Sequence, residues 1–251
     1  MYPRALRYRY QVLAGFALAA SFAMAADTPS GESLMQRYID RSGGAEAYAK
    51  AKNVAMSGTV EMPAQNISGT IAMYEEGEKS YTMMEIAGIG KIEGGFDGET
   101  AWENSALQGP RILEGEEKVE AKRAATLSRI TAWRDVYKAA HTVGSEDVDG
   151  KPAWRVEMTP KEGKPETFFF DRDSGLLVRT SAVRTTALGD IAADSTMSDF
   201  RIVDGILTPF AMTEKAMSQT IVTRFKDISY NVPMPKDRFD LPAPVKALRK
   251  K

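Results

Sequence analysis

Alternating apolar and polar residues dominate the middle of the chain. Apolar side chains fall at every second position from Val54 to Met62, and the pattern repeats from Ile67 to Met73. Further along, Trp154, Val156 and Met158 share a face opposite Arg155 and Glu157. A period of two with one apolar face is typical of strands in an antiparallel sheet.

Turn dipeptides separate these runs and predict hairpins. Asp97-Gly98, Asp149-Gly150 and Asp204-Gly205 tolerate the positive φ angles of tight turns, and the segment from Asp171 to Gly175 indicates a longer one. Between the turns lie six strand-like runs: Thr100–Asn104, Lys151–Thr159, Glu166–Phe170, Leu176–Thr186, Thr196–Val203 and Gln219–Ser229. The pattern predicts roughly ten to twelve strands, enough for a strongly curved sheet or barrel.

Two segments have a helical period. Residues Gly31–Lys52 predict a first helix that Ser30 caps and that breaks at Gly43-Gly44. Residues Glu114–Ala140 predict one long helical insertion with an apolar stripe of Ile130, Trp133 and Tyr137. The C-terminal stretch from Asn231 is rich in proline and ends in a basic tail, so we expect it to be solvated and frayed.

The first residues predict an export signal. Arg4, Arg7 and Arg9 precede an apolar run of about a dozen residues and an Ala-x-Ala site at residues 23–25. The run is too short to span a membrane, which needs about 20 residues. We therefore expect residues 1–25 to be a secretory signal peptide cleaved after Ala25, residues 26–251 to form a single domain, and the mature protein to be periplasmic.

Composition excludes several function classes. The chain has 251 residues, a net charge of −1, one His and no Cys, and the mature chain would carry about −4. The charge argues against nucleic-acid binding. The lack of Cys excludes disulfides, thiol catalysis and Cys-ligated metals, and a single His excludes a His-rich metal site. Neither a cofactor nor a metal is expected.

Candidate catalytic residues are few. His141 lacks the G-x-S-x-G motif of a Ser-His-Asp hydrolase, so we interpret it as a surface or cap residue. The glycines from Gly88 to Gly95 precede a strand, so a curved sheet explains them better than a phosphate loop. Asp171 and Asp173 flank a turn where Asp commonly bonds its own backbone, although a carboxylate pair of a hydrolase stays open.

Methionine is frequent on the apolar strand faces. Its flexible thioether suits adaptable apolar surfaces, although any single Met is normally core filler. A large curved sheet with few helices to cover it would leave an apolar cavity, and each enclosed methylene of a ligand contributes about 0.8 kcal/mol. The residues that we expect to line this cavity are Val54, Met56, Val60, Met62, Ile71, Met73, Ile130, Trp133, Tyr137, Trp154, Val156 and Met158.

Several segments, in order, resemble the outer-membrane lipoprotein carrier (LolA/LolB-like) superfamily in its divergent branches. They are Trp133–Tyr137, Val148–Val156, Gly163–Asp171, Ser174–Val178, Asp199–Phe210 and Asn231–Pro233. The resemblance implies an incomplete antiparallel β-barrel with a helical lid over a hydrophobic cavity that binds lipid or lipoprotein acyl chains. It also implies no cofactor and no catalysis. In well-studied carriers a strand arginine holds the lid closed, and the resemblance does not assign this arginine to a position here.

Three functional hypotheses follow. The first is a non-enzymatic, monomeric periplasmic carrier for lipid or lipoprotein acyl chains. Its partner would be an inner- or outer-membrane complex. The second is an envelope protein-interaction or sensor module whose core is filled. The third is a hydrolase that uses Asp171 or Asp173.

Overall fold

The computed structural model describes residues 28–186 and 189–249. The predicted signal peptide, residues 1–25, lies outside the described residues. The described helices are α1 (Gly31–Arg41), α2 (Gly44–Lys50), α3 (Gly115–Ala125), α4 (Trp133–Val136) and α5 (Ala243–Leu248). The described strands are β1 (Asn53–Met62), β2 (Ile67–Glu76), β3 (Lys79–Ile86), β4 (Gly90–Phe96), β5 (Ala101–Ser105), β6 (Gly109–Leu113), β7 (Tyr137–Val148), β8 (Lys151–Pro160), β9 (Glu166–Asp171), β10 (Leu177–Thr186), β11 (Gly189–Val203), β12 (Ile206–Ala216) and β13 (Gln219–Tyr230).

All 13 described strands form one antiparallel sheet in the order β6-β5-β4-β3-β2-β1-β13-β12-β11-β10-β9-β8-β7. Hairpins join most neighbours, and the pairing of β1 with β13 brings the two halves of the chain together. The two edge strands, β6 and β7, do not pair with each other, so the curved sheet stays unclosed. The prediction of an incomplete antiparallel barrel with helices is confirmed, although the described sheet has 13 strands and not ten to twelve.

Each strand presents alternate residues to two faces of the sheet, as the period of two requires. We call the face that carries α1, α3 and residues 126–132 the inner face, and the opposite one the outer face. Met56 on β1, Met73 on β2 and Ile228 on β13 are direct neighbours across the strands and all lie on the inner face.

Helix α1 forms where the sequence predicts it and packs on the inner face. The Ser30 side chain accepts a hydrogen bond from the backbone N–H of Ser33 and so caps the helix. Leu34, Met35 and Tyr38 are buried on one side of α1. The chain then breaks at Gly43, where φ is +133°, and α2 follows.

The predicted single helix over Glu114–Ala140 is wrong. Helix α3 ends at Ala125, the chain then turns, and α4 has only 4 residues. From Tyr137 the chain is the edge strand β7, which pairs with β8. The spacing of Ile130, Trp133 and Tyr137 fits a helix, but pairing with β8 outweighs this local preference.

The expected frayed C-terminus is also wrong for the described residues. Leu241 and Val245 are buried against Trp102 on the outer face. Pro242 caps α5, and Arg249 forms an ion pair with Glu99 at 3.1 Å. Burial of apolar side chains fixes a segment whose prolines and charges suggested solvent exposure.

Candidate functional site

The inner face is divided into two parts that are packed to different degrees. One part, formed by β7 to β10, is covered by α1. The other part, formed mainly by β1, β2, β12 and β13, is covered less completely. The residues that were expected to line a cavity are distributed over both parts.

The part under α1 is a filled core. Side chains of α1 pack against Trp133, Tyr137, Val156 and Met158, and these four are between 0% and 6% exposed. Ile130 and Trp154 are partly buried and pack against the same cluster. Half of the twelve expected lining residues therefore lie in a packed cluster with α1.

The second part contains a row of partly exposed methionines. Met56, Met73, Met84 and Met212 are half-buried, and they pack against buried Val54, Ile71, Phe210, Phe225 and Ile228. We call these four methionines the methionine face. Leu127, from residues 126–132, is the side chain on the helical side that packs against it. Because the thioethers keep some exposure, this is the part of the inner face where an apolar ligand has surface to contact.

Two further expected lining residues lie beyond this row. Val60 is buried on β1, and Met62 is half-buried where β1 ends, opposite Ile67 of β2. Neither belongs to the clusters under α1 or around the methionine face. The structure thus brings Val54, Met56, Ile71 and Met73 together in one place and Val60 and Met62 in another.

Helix α3 crosses the inner side of the sheet. It contacts β3, β4 and β5 on one side and β10 on the other. Ala125 is buried against Phe96, Ala101 and Leu113, and most of the remaining surface of α3 is polar. This geometry is that of a lid that spans two distant parts of the sheet.

Ion pairs attach α3 at both sides. Arg111 of β6 contacts Glu117 at 2.7 Å. On the other side, Arg123 contacts Glu166 of β9 at 2.5 Å, and Lys164 contacts Glu116 at 3.0 Å. The hydrogen bond from Lys164 holds the pKa of the Glu116 carboxyl below its usual value.

A charged group lies between the two parts of the inner face. Arg129 follows α3 and donates from Nη1 to Glu75 Oε2 at 3.3 Å and to the backbone oxygens of Ala124 and Thr126. Burial raises the pKa of Tyr38 and of Tyr137, and the positive charge of Arg129 opposes this shift in both. The arginine therefore acts electrostatically on phenols of α1 and β7, and it is hydrogen-bonded to the Glu75 carboxylate.

Sequence analysis missed both members of this pair. The sequence did contain a signal for Glu75, because Glu75 falls on the apolar face of β2, at the same alternate positions as Ile71 and Met73. A carboxylate at such a position needs a partner inside the protein. Arg129 had no comparable signal, since its place depends on how residues 126–132 turn after α3.

The other candidate residues have structural surroundings. His141 is exposed on β7, as expected for a surface residue. The Asp171 side chain accepts hydrogen bonds from the backbone N–H and the hydroxyl of Ser174. Burial alone would raise the pKa of Asp171, but the hydrogen bonds outweigh it and the pKa lies below its usual value. Asp171 thus stabilises the predicted turn.

Two open surface pockets lie away from the methionine face. One, of about 330 Å³, lies under the C-terminal segment on the outer face and is bordered by Tyr81, Glu93 and Arg238. The other, of about 410 Å³, lies beside Lys52 and Asn231. In the described ranges, no group of three or more His, Asp or Glu side chains has the arrangement of a metal site. No described helix has both the length and the apolar character to cross a membrane.

Comparisons with known proteins match the chain through its fold. No family model matches the sequence, and no curated protein matches it. A solved structure of a DUF1329 family protein from Desulfovibrio piger is 15% identical, with a TM-score of 0.58 over 86% of this chain and 100% of that one. A LolA superfamily protein from Nitrosomonas europaea is 12% identical, with a TM-score of 0.56 over 85% of this chain and 98% of that one.

A third solved structure fits the same pattern. A domain described as an outer membrane lipoprotein-sorting protein from Vibrio parahaemolyticus is 11% identical, with a TM-score of 0.52 over 88% of this chain and 98% of that one. Identities this low establish the fold alone. At that level the resemblance stated from the sequence is confirmed: the chain has a divergent LolA-like fold.

Proposed function

We propose, from this LolA-like fold, that the protein is a non-enzymatic binding protein or carrier for lipid or the acyl chains of lipoproteins, and that it works in the periplasm after cleavage of residues 1–25. The methionine face is the observation that carries the proposal. It is apolar, partly exposed and inside a curved sheet, and Leu127 is the apolar side chain that packs on it from residues 126–132.

The energetics favour a long apolar ligand. A solvated acyl chain gains about 0.8 kcal/mol for each methylene that it buries. Flexible thioethers can adapt to chains of different shape, which suits a protein whose cargo varies. The filled cluster under α1 then serves as the rigid wall of the site, because its side chains are already buried.

Helix α3 would control access to the methionine face. Its attachments are ion pairs with a small apolar contact around Ala125, so much less buried apolar surface holds α3 than holds α1. An acyl chain could therefore enter when α3 moves, while α1 stays in place. Delivery to a membrane complex would use the same movement.

Adjacent residues of β3 allow a matched test. Met84 lies on the methionine face, whereas Met83 points to the outer face, where it pairs with Ala72 and Glu93. We expect Met84→Gln to weaken binding of a fluorescent fatty acid roughly tenfold, since it places a polar amide against the chain. Met83→Gln should bind like the wild type.

Native mass spectrometry of the protein purified from cells would complement this titration. A co-purified lipid that disappears in Met84→Gln and persists in Met83→Gln supports the proposal. A wild-type protein that is ligand-free and does not bind the fatty acid contradicts it. Equal loss in both variants would place binding elsewhere than on the methionine face.

The filled part of the inner face supports a second candidate, an envelope protein-interaction or sensor module. Trp133, Val156 and Met158 are packed as in an ordinary core, with no more than 2% exposure. This candidate predicts pull-downs that recover one dominant protein partner, and the same yield of that partner from wild type and Met84→Gln. It also predicts no bound lipid.

A further inference from the structure

We propose that Arg129 binds the anionic head group, a carboxylate or phosphate, of a single-chain amphiphile whose tail lies on the methionine face. This inference rests on the proposed function, because it assigns the chemical class of the ligand for the same surface. It predicts that the protein prefers anionic amphiphiles to neutral ones of equal chain length.

The position of Arg129 in the chain places it at the edge of the methionine face. Leu127, two residues earlier, packs against that face, and Ile130, the next residue, packs against the cluster under α1. The backbone N–H of Leu127 donates to Gly77 in the turn between β2 and β3, which fixes this segment at the end of the hairpin. Arg129 therefore lies where the two parts of the inner face meet.

The guanidinium of Arg129 has N–H donors that its hydrogen bonds to the protein do not use. Its hydrogen bonds to Glu75, Ala124 and Thr126 all leave from Nη1. Nε and Nη2 carry three further N–H donors, and these have no acceptor among the described residues. The Arg129 side chain is 40% exposed, so a ligand can reach it. The fork formed by Nε and Nη2 matches the geometry of a carboxylate or phosphate.

Glu75 holds the arginine without using its free edge. Its side chain is only 10% exposed and contacts Nη1 at 3.3 Å. The contact fixes the guanidinium beside β2 and leaves the opposite edge of the group open. The ligand's anion would then add a second, bidentate partner to an arginine that is already positioned, which reduces the entropy lost on binding.

The path of the tail follows from β2. Met73 and Ile71 lie on the same face as Glu75, at two and four residues from it, and Met84 lies opposite Ile71. Since an antiparallel strand rises about 3.4 Å per residue, this path is roughly 14 Å long. It is a continuous apolar strip that begins at the charged head-group site and ends among methionines.

Calorimetric titration of the mature protein with dodecanoate and with dodecanol tests the inference. A charge-assisted hydrogen bond is stronger than a neutral one. We therefore expect wild type to bind dodecanoate about tenfold more tightly than dodecanol. Arg129→Gln should lose this preference, because its affinity for dodecanoate falls more than its affinity for dodecanol. Arg134→Gln, at an exposed arginine of α4, is the matched control and should keep the preference.

The outcomes separate this inference from the function on which it rests. If wild type binds both amphiphiles equally, Arg129 is no head-group site, although the proposed function stands. If neither binds, both proposals fail. Acetate, which has the head group but no tail, should bind at least a hundredfold more weakly, and binding as tight as that of dodecanoate would mean a simple anion site instead. If Arg129→Gln does not fold, equal binding by wild type still overturns the inference. Arg129→Lys, which keeps the charge without the fork, then assigns the preference to this residue, because it should retain only part of it.

Discussion

Gly95 shows how the curvature of the sheet depends on single residues. A Cβ atom at Gly95 would lie 2.1 Å from the backbone oxygen of Ser80 on the neighbouring strand, far inside van der Waals contact. At Gly94 the nearest atom, the backbone oxygen of Trp102, is 3.0 Å away. Gly94 and Gly95 therefore belong to a tightly coiled sheet, as the sequence predicted, whereas Gly88 lies in the turn between β3 and β4.

This pair gives a prediction at the residue scale. We expect Gly95→Ala to lower the free energy of unfolding by about 3 kcal/mol, because the strands must separate to admit the methyl group. Gly94→Ala should cost less, roughly 1 kcal/mol. Urea denaturation of both variants measures the difference, and equal costs would show that β3 and β4 approach each other less closely than described.

At the scale of the element, α3 is the helix whose attachments are mainly electrostatic. Arg123 and Glu166 are about 15% exposed, so their contact is partly shielded from solvent. Removing one partner of such a pair leaves the other without compensation. The neighbouring Lys122 is exposed.

We therefore expect Arg123→Met to destabilise α3 by roughly 2 kcal/mol, while Lys122→Met has almost no effect. Hydrogen exchange of the amides from Gly115 to Ala125 measures this local opening. The amides of α1 should exchange as in the wild type, because apolar contacts hold α1 on the sheet. Faster exchange throughout the sheet would instead mean that α3 stabilises the whole fold.

The same helix gives a pH prediction. Hydrogen bonds from Lys164 lower the pKa of the Glu116 and Asp190 carboxyls. The hydrogen bond to Asp190 is the largest cause of the raised pKa of Lys164, and the hydrogen bond to Glu116 raises it further. A carboxyl with a lowered folded pKa stabilises the fold above its unfolded pKa, and this contribution is lost as the pH falls through the folded value. For the amine the contribution is present below its unfolded pKa and is lost as the pH rises through the raised folded value.

Acidification from about pH 6 to about pH 3 should therefore weaken the attachment of α3 to the segment between β8 and β9 that carries Lys164. We expect the free energy of unfolding of wild type to fall more over this range than that of Lys164→Met, in which the carboxyls have lost their cation. Thermal unfolding at the two pH values provides the comparison. An identical loss in both proteins would mean that the ion pairs of Lys164 do not make the attachment of α3 depend on pH.

At the scale of the whole molecule, the C-terminal segment belongs to the fold. Leu241 is 4% exposed and packs with Val245 against Trp102, whereas Leu248 in the same segment is 38% exposed. We expect Leu241→Ala to lower the free energy of unfolding by about 3 kcal/mol and Leu248→Ala by less than about 1 kcal/mol. Chemical denaturation measures both, and a negligible effect of Leu241→Ala would restore the expectation of a frayed end.

Much of the fold was predictable because its signals are local. The period of two from Val54 to Met73 and the Asp-Gly turns specify strands and hairpins through short-range geometry. Ser30 and the break at Gly43 likewise specify the limits of α1. The same pattern placed Val54, Met56, Ile71 and Met73 on one face, where the structure brings them together.

Other features depend on contacts between residues far apart in the chain, and only the tertiary structure decided them. The side chains of Trp133 and Tyr137 have a helical spacing, yet long-range pairing with β8 makes a strand of Tyr137–Val148. The closeness of Arg129 to Glu75 arises because Leu127 is held by the β2–β3 turn, 50 residues earlier in the chain. Local preferences determine helices and strands through short-range contacts. Packing across the whole sheet determines which apolar faces become filled and which stay partly open.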